Sequence, residues 1–231
     1  MIRLKLADFV VEVKNRYDYI ETMCCDYITQ EKPDFKVLAS DEEILKEATA
    51  EINFPPYLET LAIYRKIAEK MPDFNGVLMH GVVLRVKNRG IMLCAKSGVG
   101  KTTHMLLWKK LLGEECEIIN GDKPLVRLLN DRVYAFGTPW CGKEGFNKND
   151  AAEITDICFI ERSKENFVTD APKDEVLQRI MQQIYIPSGS LEMIKTLDIL
   201  DFILSKTRCR KIHCNKELEA AKVAYDAIFK A

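Results

Sequence analysis

Charge of one sign is not in surplus in this 231-residue chain: 34 lysines and arginines face 35 aspartates and glutamates, a net charge of −1. That balance gives no electrostatic reason to expect a nucleic-acid or anionic-membrane partner. No apolar run approaches the length of a membrane span. The opening residues, Met1 to Asp8, lack the apolar core of a signal peptide and carry an early acid, so the expected location is the cytoplasm. Histidine is scarce, with three copies, and none of the eight cysteines forms a Cys-x-x-Cys pair. Cys94 and Cys158 sit in apolar runs, which fits reduced thiols better than a disulfide frame. Cys209, His213 and Cys214 lie in an alternating stretch that reads as a strand rather than a metal site. There is no internal repeat and no low-complexity segment. What remains is an ordinary globular balance, 47% hydrophobic and 30% charged, in a chain long enough for one large domain or a core with a small added lobe.

The most informative stretch is Ile91 to Thr103, Ile-Met-Leu-Cys-Ala-Lys-Ser-Gly-Val-Gly-Lys-Thr-Thr. It reads as a short buried strand, a tight loop and the first turn of a helix. Backbone N–H groups of such a loop converge on an anion, and the helix start adds its own free N–H groups and dipole. Ser97, Gly98, Val99, Gly100, Lys101, Thr102 and Thr103 are therefore expected to bind nucleotide phosphates. Lys101 would reach the terminal phosphates and Thr102 would take one place on magnesium. Ala95 stands where the strict pattern has glycine. The following helix, His104 to Leu112, has an apolar face and stops at Gly113.

Before that loop, the sequence predicts one or two strands over Leu4 to Val13 and a strand over Phe35 to Ala39. A helix capped by Ser40 follows, then a break at Phe54-Pro55-Pro56 and a helix over Tyr57 to Met71. A turn at Met71 to Gly76 divides the chain into an N-terminal α+β lobe, residues 1–74, suited to binding a substrate or partner, and a core, residues 75–231. In the core, Val77 to Val86 reads as one strand turning at Asn88-Arg89-Gly90 into the loop strand. Cys116 to Ile119 is a strand, and Asn130-Asp131 joins a hairpin. Ile154 to Glu161 is strand-like, Lys173 to Tyr185 and Leu191 to Lys206 helical, and Arg210 to Cys214 a strand. Asn215 caps a last helix over Lys216 to Phe229. Hairpins flanking the loop predict an α/β fold with a mixed sheet rather than a doubly wound one.

Transfer chemistry needs a second metal ligand and a group to receive a proton. Asp122, at the end of the strand after the loop helix, is the carboxylate placed to face the loop; as a turn residue in Asn-Gly-Asp it has a plain structural role as well. His80 lies on the preceding strand, on a face with Leu78, Val82 and Leu84, and Gly81 beside it suggests close backbone approach. Next to a carboxylate, an imidazole can hold or shift a proton.

His80-Gly81, Ser97-Gly98-Val99-Gly100-Lys101-Thr102 and Asp122, in that order, resemble the catalytic domain of HPr kinase/phosphorylase, which is similar to the nucleotide-binding core of PEP carboxykinase. The resemblance spans roughly Phe74 to Ile160. It implies that Lys101 binds phosphate, that Thr102 and Asp122 hold magnesium, and that His80 stands beside the acid receiving the substrate's hydroxyl proton. It also implies ATP and Mg2+ as cofactors. The family's paired acids are here Gly121-Asp122, and the N-terminal lobe does not look like that of HPr kinase.

Gly137 to Gly145 is a second expected functional loop, in which Trp140 offers a flat surface and Lys143 can reach a phosphate or anionic substrate. Arg162, at a strand end, could stabilise transferring charge. Asn147-Lys148-Asn149-Asp150 matches a guanine-reading motif and Asp73-Phe74-Asn75-Gly76 another GTPase motif, but their order along the chain is wrong for a GTPase. The expected activity is an ATP-dependent kinase of the HPr-kinase type. It would act on a hydroxyl of a small protein, peptide or metabolite, and a homo-oligomer is compatible with it. The alternative is a catalytically weak, nucleotide-sensing module that binds a partner.

Overall fold

The computed structural model describes residues 1–230. The first strands, β1 (Ile2–Leu6) and β2 (Phe9–Val13), form a hairpin turning at Ala7 and Asp8, both with positive φ. β3 (Phe35–Val37) adds parallel to β2, completing a three-stranded sheet. Between them lie a short helix, α1 (Tyr19–Met23), and a 3-10 turn, Cys25–Tyr27. α2 (Asp41–Lys46) starts at a full capping box, Ser40 with Glu43, as its sequence predicts. α3 (Pro55–Lys70) begins at Pro55, so the two prolines open the helix rather than precede it. Proline suits a first turn, whose N–H groups have no intrahelical partner.

The second sheet is large and mixed. It contains β4 (Gly76–Leu78), β5 (Val82–Val86), β6 (Arg89–Cys94), β7 (Cys116–Asn120), β8 (Leu125–Leu129), β9 (Arg132–Phe136), β10 (Ala151–Arg162), β11 (Phe167–Asp170) and β12 (Arg208–Cys214). The strand order is β4-β8-β9-β10-β6-β5-β7, with β12 also on β10 and β11 on β12. β10 is the seam. Its first three residues pair antiparallel with β9, and its remainder runs parallel to β6 on one side and β12 on the other. The stretch expected as one strand, Val77 to Val86, is two: β4 pairs with β8, whereas β5 pairs with β6 and β7. His80 and Gly81 form the break between them.

Asp156 of β10 is fully buried, and both its oxygens are matched. Arg89 reaches one at 2.7 Å and Arg210 the other at 2.9 Å. Such a pair holds only while both partners are present, so this contact ties β6, β10 and β12 together.

The remaining helices are α4 (Lys101–Leu112), α5 (Lys173–Met181), α6 (Ser190–Lys206) and α7 (Leu218–Phe229). α4 buries Lys101, His104, Met105 and Trp108, one helical face at three- and four-residue spacing. Trp108 packs edge-on against Tyr225 and Phe229 of α7. α5 ends at Met181, short of the expected Tyr185. Residues 182 and 183 form a turn instead, and Ile184 makes an isolated bridge with Met79. α7 begins at Leu218; Asn215 accepts from the N–H of Glu217 and lies just outside the helix.

Buried residues of the N-terminal lobe, Leu4, Phe9, Ile20, Ile63 and Met71 among them, form one apolar cluster that also takes in Leu125 and Trp140. The lobe therefore shares side chains with the large sheet. No helix among the described residues is long and apolar enough to cross a membrane.

Candidate functional site

β6 runs into the loop Ala95–Gly100, and α4 leaves it. Gly98 and Gly100 have φ of +76° and +131°, a region that side chains rarely tolerate, while their surroundings are open. The demand for glycine is thus one of backbone shape, not of space. No side chain caps α4, and its first intrahelical bond is His104 N–H to Gly100 O at 2.9 Å. The amides ahead of it have no intrahelical acceptor and stand at the positive end of the helix dipole.

Lys101 is buried and its Nζ donates to Ala95 O at 2.8 Å. Burial pushes its pKa down, against the pull of the Asp122 charge. Ala95 O receives a second donor. With its amide oriented to satisfy its neighbours, buried Gln183 donates to Ala95 O at 3.2 Å and to His80 O at 3.0 Å. The His80 N–H donates back to Gln183 O at 2.6 Å. Gln183 therefore ties the loop to the His80 turn through the turn after α5. Nothing in the sequence marks it, because the segment reads as helix.

His80 and Asp122 meet. His80 Nε2 lies 3.0 Å from Asp122 Oδ1, and the Gly81 N–H donates to Asp122 O at 2.8 Å. His80 stands in the break between β4 and β5 rather than on a continuous strand, so it leaves the face of Val82 and Leu84. A Cβ at Gly81 would lie 3.1 Å from Leu93 O, the close approach expected of that glycine. Asp122 lies two residues past the end of β7. Burial acts to raise its pKa, but the His80 hydrogen bond and the charges of Lys123 and Lys101 outweigh it and hold the carboxyl below its usual value.

The Asp122 turn is braced from behind. Asn120, fully buried, accepts from Asp122 N–H at 2.8 Å and donates to Thr138. Thr138 Oγ1 and Tyr64 Oη both donate to Lys123 O, at 2.9 and 2.6 Å. The N–H groups of Gly121 and Lys123 reach Phe146 O and Trp140 O. A Cβ at Gly121 would fall 2.6 Å from Cys141 O. The space that a side chain at position 121 would need is therefore filled by loop backbone.

Trp140 is not a ligand surface. Its ring stacks on Tyr64 with centroids 3.9 Å apart, its Nε1–H donates to Thr60 O at 3.2 Å, and it is 4% exposed. The aromatic signal in that loop is a packing signal. Lys143 is exposed and carries no ion pair among the described residues; neighbouring Gly142 lies against Asp122. Arg162 grips the loop, donating to Val99 O at 3.0 Å and to Gly98 O. It also borders a cavity of about 490 Å³ lined by Ser97, Gly98, Glu161, Arg179 and Gln183. The Asn147 to Asp150 motif is spent inside the protein: Asn147 donates to Thr138 O, and Asp150 pairs with Arg85.

No protein-family model matches the chain, and no curated protein matches it. Among solved structures, the HPr(Ser) kinase/phosphatase from Coxiella burnetii aligns with a TM-score of 0.38 and 9% identity, over 66% of this chain and 97% of that one. That is a distant resemblance of structure, and the chemistry below rests on this chain's own side chains.

Proposed function

We propose that this protein is an ATP-dependent phosphotransferase of the HPr-kinase type, moving the γ-phosphoryl group to a hydroxyl of a small protein, peptide or metabolite. The observation that carries the proposal is the contact of His80 with Asp122, close enough to Lys101 for the two charges to shift each other's pKa. Ser97 to Thr103 would seat the polyphosphate on free amides, with Lys101 offsetting its charge. The Thr102 hydroxyl and the Asp122 carboxylate, an oxygen-only set, fit a hard cation and would hold Mg2+, which supplies charge neutralisation at the phosphoryl oxygens.

In the proposed reaction the acceptor oxygen forms a bond to the γ-phosphorus as the bond to the β-phosphate oxygen breaks. ADP departs and the hydroxyl proton passes to the His80–Asp122 pair, His80 taking it where Asp122 serves as metal ligand. A carboxyl of lowered basicity is a weak proton acceptor. A loose phosphoryl transition state asks little of one, so transfer is slow rather than absent.

A second reading, a nucleotide-sensing module that recruits a partner, draws on the same lone acid and on the filled space at Gly121. Incubation with γ-labelled ATP and cell extract separates the two. Label on an acceptor, lost in Asp122→Asn, supports transfer. Tight ATP binding with no labelled product in the intact protein overturns it in favour of the sensor.

A further inference from the structure

The hollow of about 490 Å³ beside the loop has Ala95, Lys96, Ser97, Phe159, Arg179 and Gln183 in its wall. It adjoins the end of the loop where a terminal phosphate would sit. Lys101, the residue expected to meet that phosphate, has its Nζ on Ala95 O, and Gln183 bonds both that carbonyl and His80 O. Ala95 and Gln183 therefore belong at once to the wall of the hollow and to the contacts that place His80. Its volume lies within the range of about 300–1,000 Å³ that small-molecule sites fill.

The charge of the hollow is one-sided. Three cations line it, Lys96, Arg162 and Arg179, against one acid, Glu161. Lys96 is exposed and, among the described residues, has no ion pair; the bonds of Arg162 go to neutral loop carbonyls. Arg179 is fixed in advance. Glu175 holds it at 2.9 Å, Glu161 holds it as well, and its guanidinium lies over the Phe159 ring, 5.7 Å from the centroid. Those two carboxylates do not use up the positive charge, because cations outside the hollow also meet them: Lys211 stands 3.2 Å from Glu175, and His213 Nδ1 3.3 Å from Glu161. A concave site of one sign concentrates ions of the other, and a positioned guanidinium suits a carboxylate or a phosphate.

We infer that this hollow is the acceptor subsite and that the acceptor is a small hydroxyl compound with an anionic group of its own, held by Lys96 and Arg179 while its hydroxyl meets the seated γ-phosphate. The inference rests on the transfer reading above and adds the class of molecule that receives the phosphoryl group. The acceptor's oxygen bonds the γ-phosphorus as the bond to the β-phosphate oxygen breaks. ADP leaves, and the hydroxyl proton goes to the His80–Asp122 pair.

The test incubates the full chain and γ-labelled ATP with two parts of a cell extract separately, the dialysable small molecules and the retained macromolecules. Label enters the dialysable part, on a product that an anion exchanger holds more tightly than glycerol phosphate, the phosphate of a neutral alcohol. With that product's parent compound as acceptor, Arg179→Gln and Lys96→Ala each raise KM about tenfold, the scale of one charged contact, and keep the calorimetric affinity for MgATP. Arg179→Lys recovers part of the loss. Lys96 is exposed and unpaired, so its variant tests the charge without disturbing the fold. Label confined to macromolecules, or a product held no more tightly than glycerol phosphate, overturns the subsite and leaves the transfer reading standing. An equal loss of ATP affinity in the two variants assigns these cations to the donor and also overturns it. ATP binding with label in neither part overturns the transfer reading and this inference together.

Discussion

His80 and Asp122 are joined twice: the imidazole Nε2 stands 3.0 Å from Asp122 Oδ1, and the Gly81 N–H beside it donates to the Asp122 carbonyl at 2.8 Å. The backbone bond sets where the two turns meet, and the side-chain bond sets which way the carboxylate points. Asp122→Asn is therefore expected to fold and bind ATP while losing roughly 10²–10⁴ in transfer rate, the scale of a lost proton acceptor. Lys101→Ala is expected to lose ATP binding itself. Paired measurement of ATP affinity and acceptor labelling checks both, and equal transfer by Asp122→Asn removes its catalytic role.

Gln183 offers a subtler test, because its donors, not its shape, connect Ala95 O to His80 O. Gln183→Glu keeps the shape and loses the N–H groups. It is expected to destabilise the fold by about 1–3 kcal/mol, the cost of leaving the buried His80 O unmatched while Ala95 O keeps its bond from Lys101, and to lower kcat more than it raises KM. Denaturant unfolding and steady-state kinetics on the same variant provide the check; an unchanged kcat would leave Gln183 as packing alone.

Trp140→Ala is expected to cost about 3–5 kcal/mol, as loss of a large buried aromatic does. The stack on Tyr64 and the bond to Thr60 O link the N-terminal lobe to the turn that carries Asp122. Tyr64 also holds Lys123 O, so weaker transfer is expected to accompany the lower stability. Trp140→Phe, which keeps an aromatic face, recovers most of it. Thermal melting of the three proteins tests this order.

His104 makes stability depend on pH. Burial alone pushes its pKa down to about 4 from an ordinary 6.5. The unfolded imidazole takes up a proton first as pH falls, so stability is full above about 6.5 and declines toward pH 4, by roughly 3 kcal/mol at most. His104→Leu is expected to flatten that part of the profile. Urea unfolding at pH 7 and pH 4.5 gives the comparison, and an unchanged slope in the variant would assign the loss to other groups.

The parts of this chain that were legible in its sequence are those governed by local chemistry. The Ser40–Glu43 box, the hairpin at Asn130-Asp131, the glycine stop at Gly113 and the strand-loop-helix around Lys101 each follow from a few adjacent residues. The mixed sheet followed from the hairpins beside that loop. What misled was apolar continuity. Val77 to Val86 is β-prone throughout, yet pairing with two different partners splits it at His80-Gly81. Trp140 in a glycine-rich loop looked like a ligand platform because its partner, Tyr64, lies 76 positions earlier. Arg162 and Gln183 act through backbone carbonyls of the loop, and such acceptors leave no mark on residue identity.

The carbonyl of Cys141, 2.6 Å from where a Gly121 side chain would begin, has a bearing on design. The number of acids in the cleft is dictated by the course of the 137–150 loop, not by the codon at position 121. A second carboxylate beside Asp122 is therefore not one substitution away: that loop must first be rerouted, and Asn120, Thr138 and Trp140 all fasten it where it is.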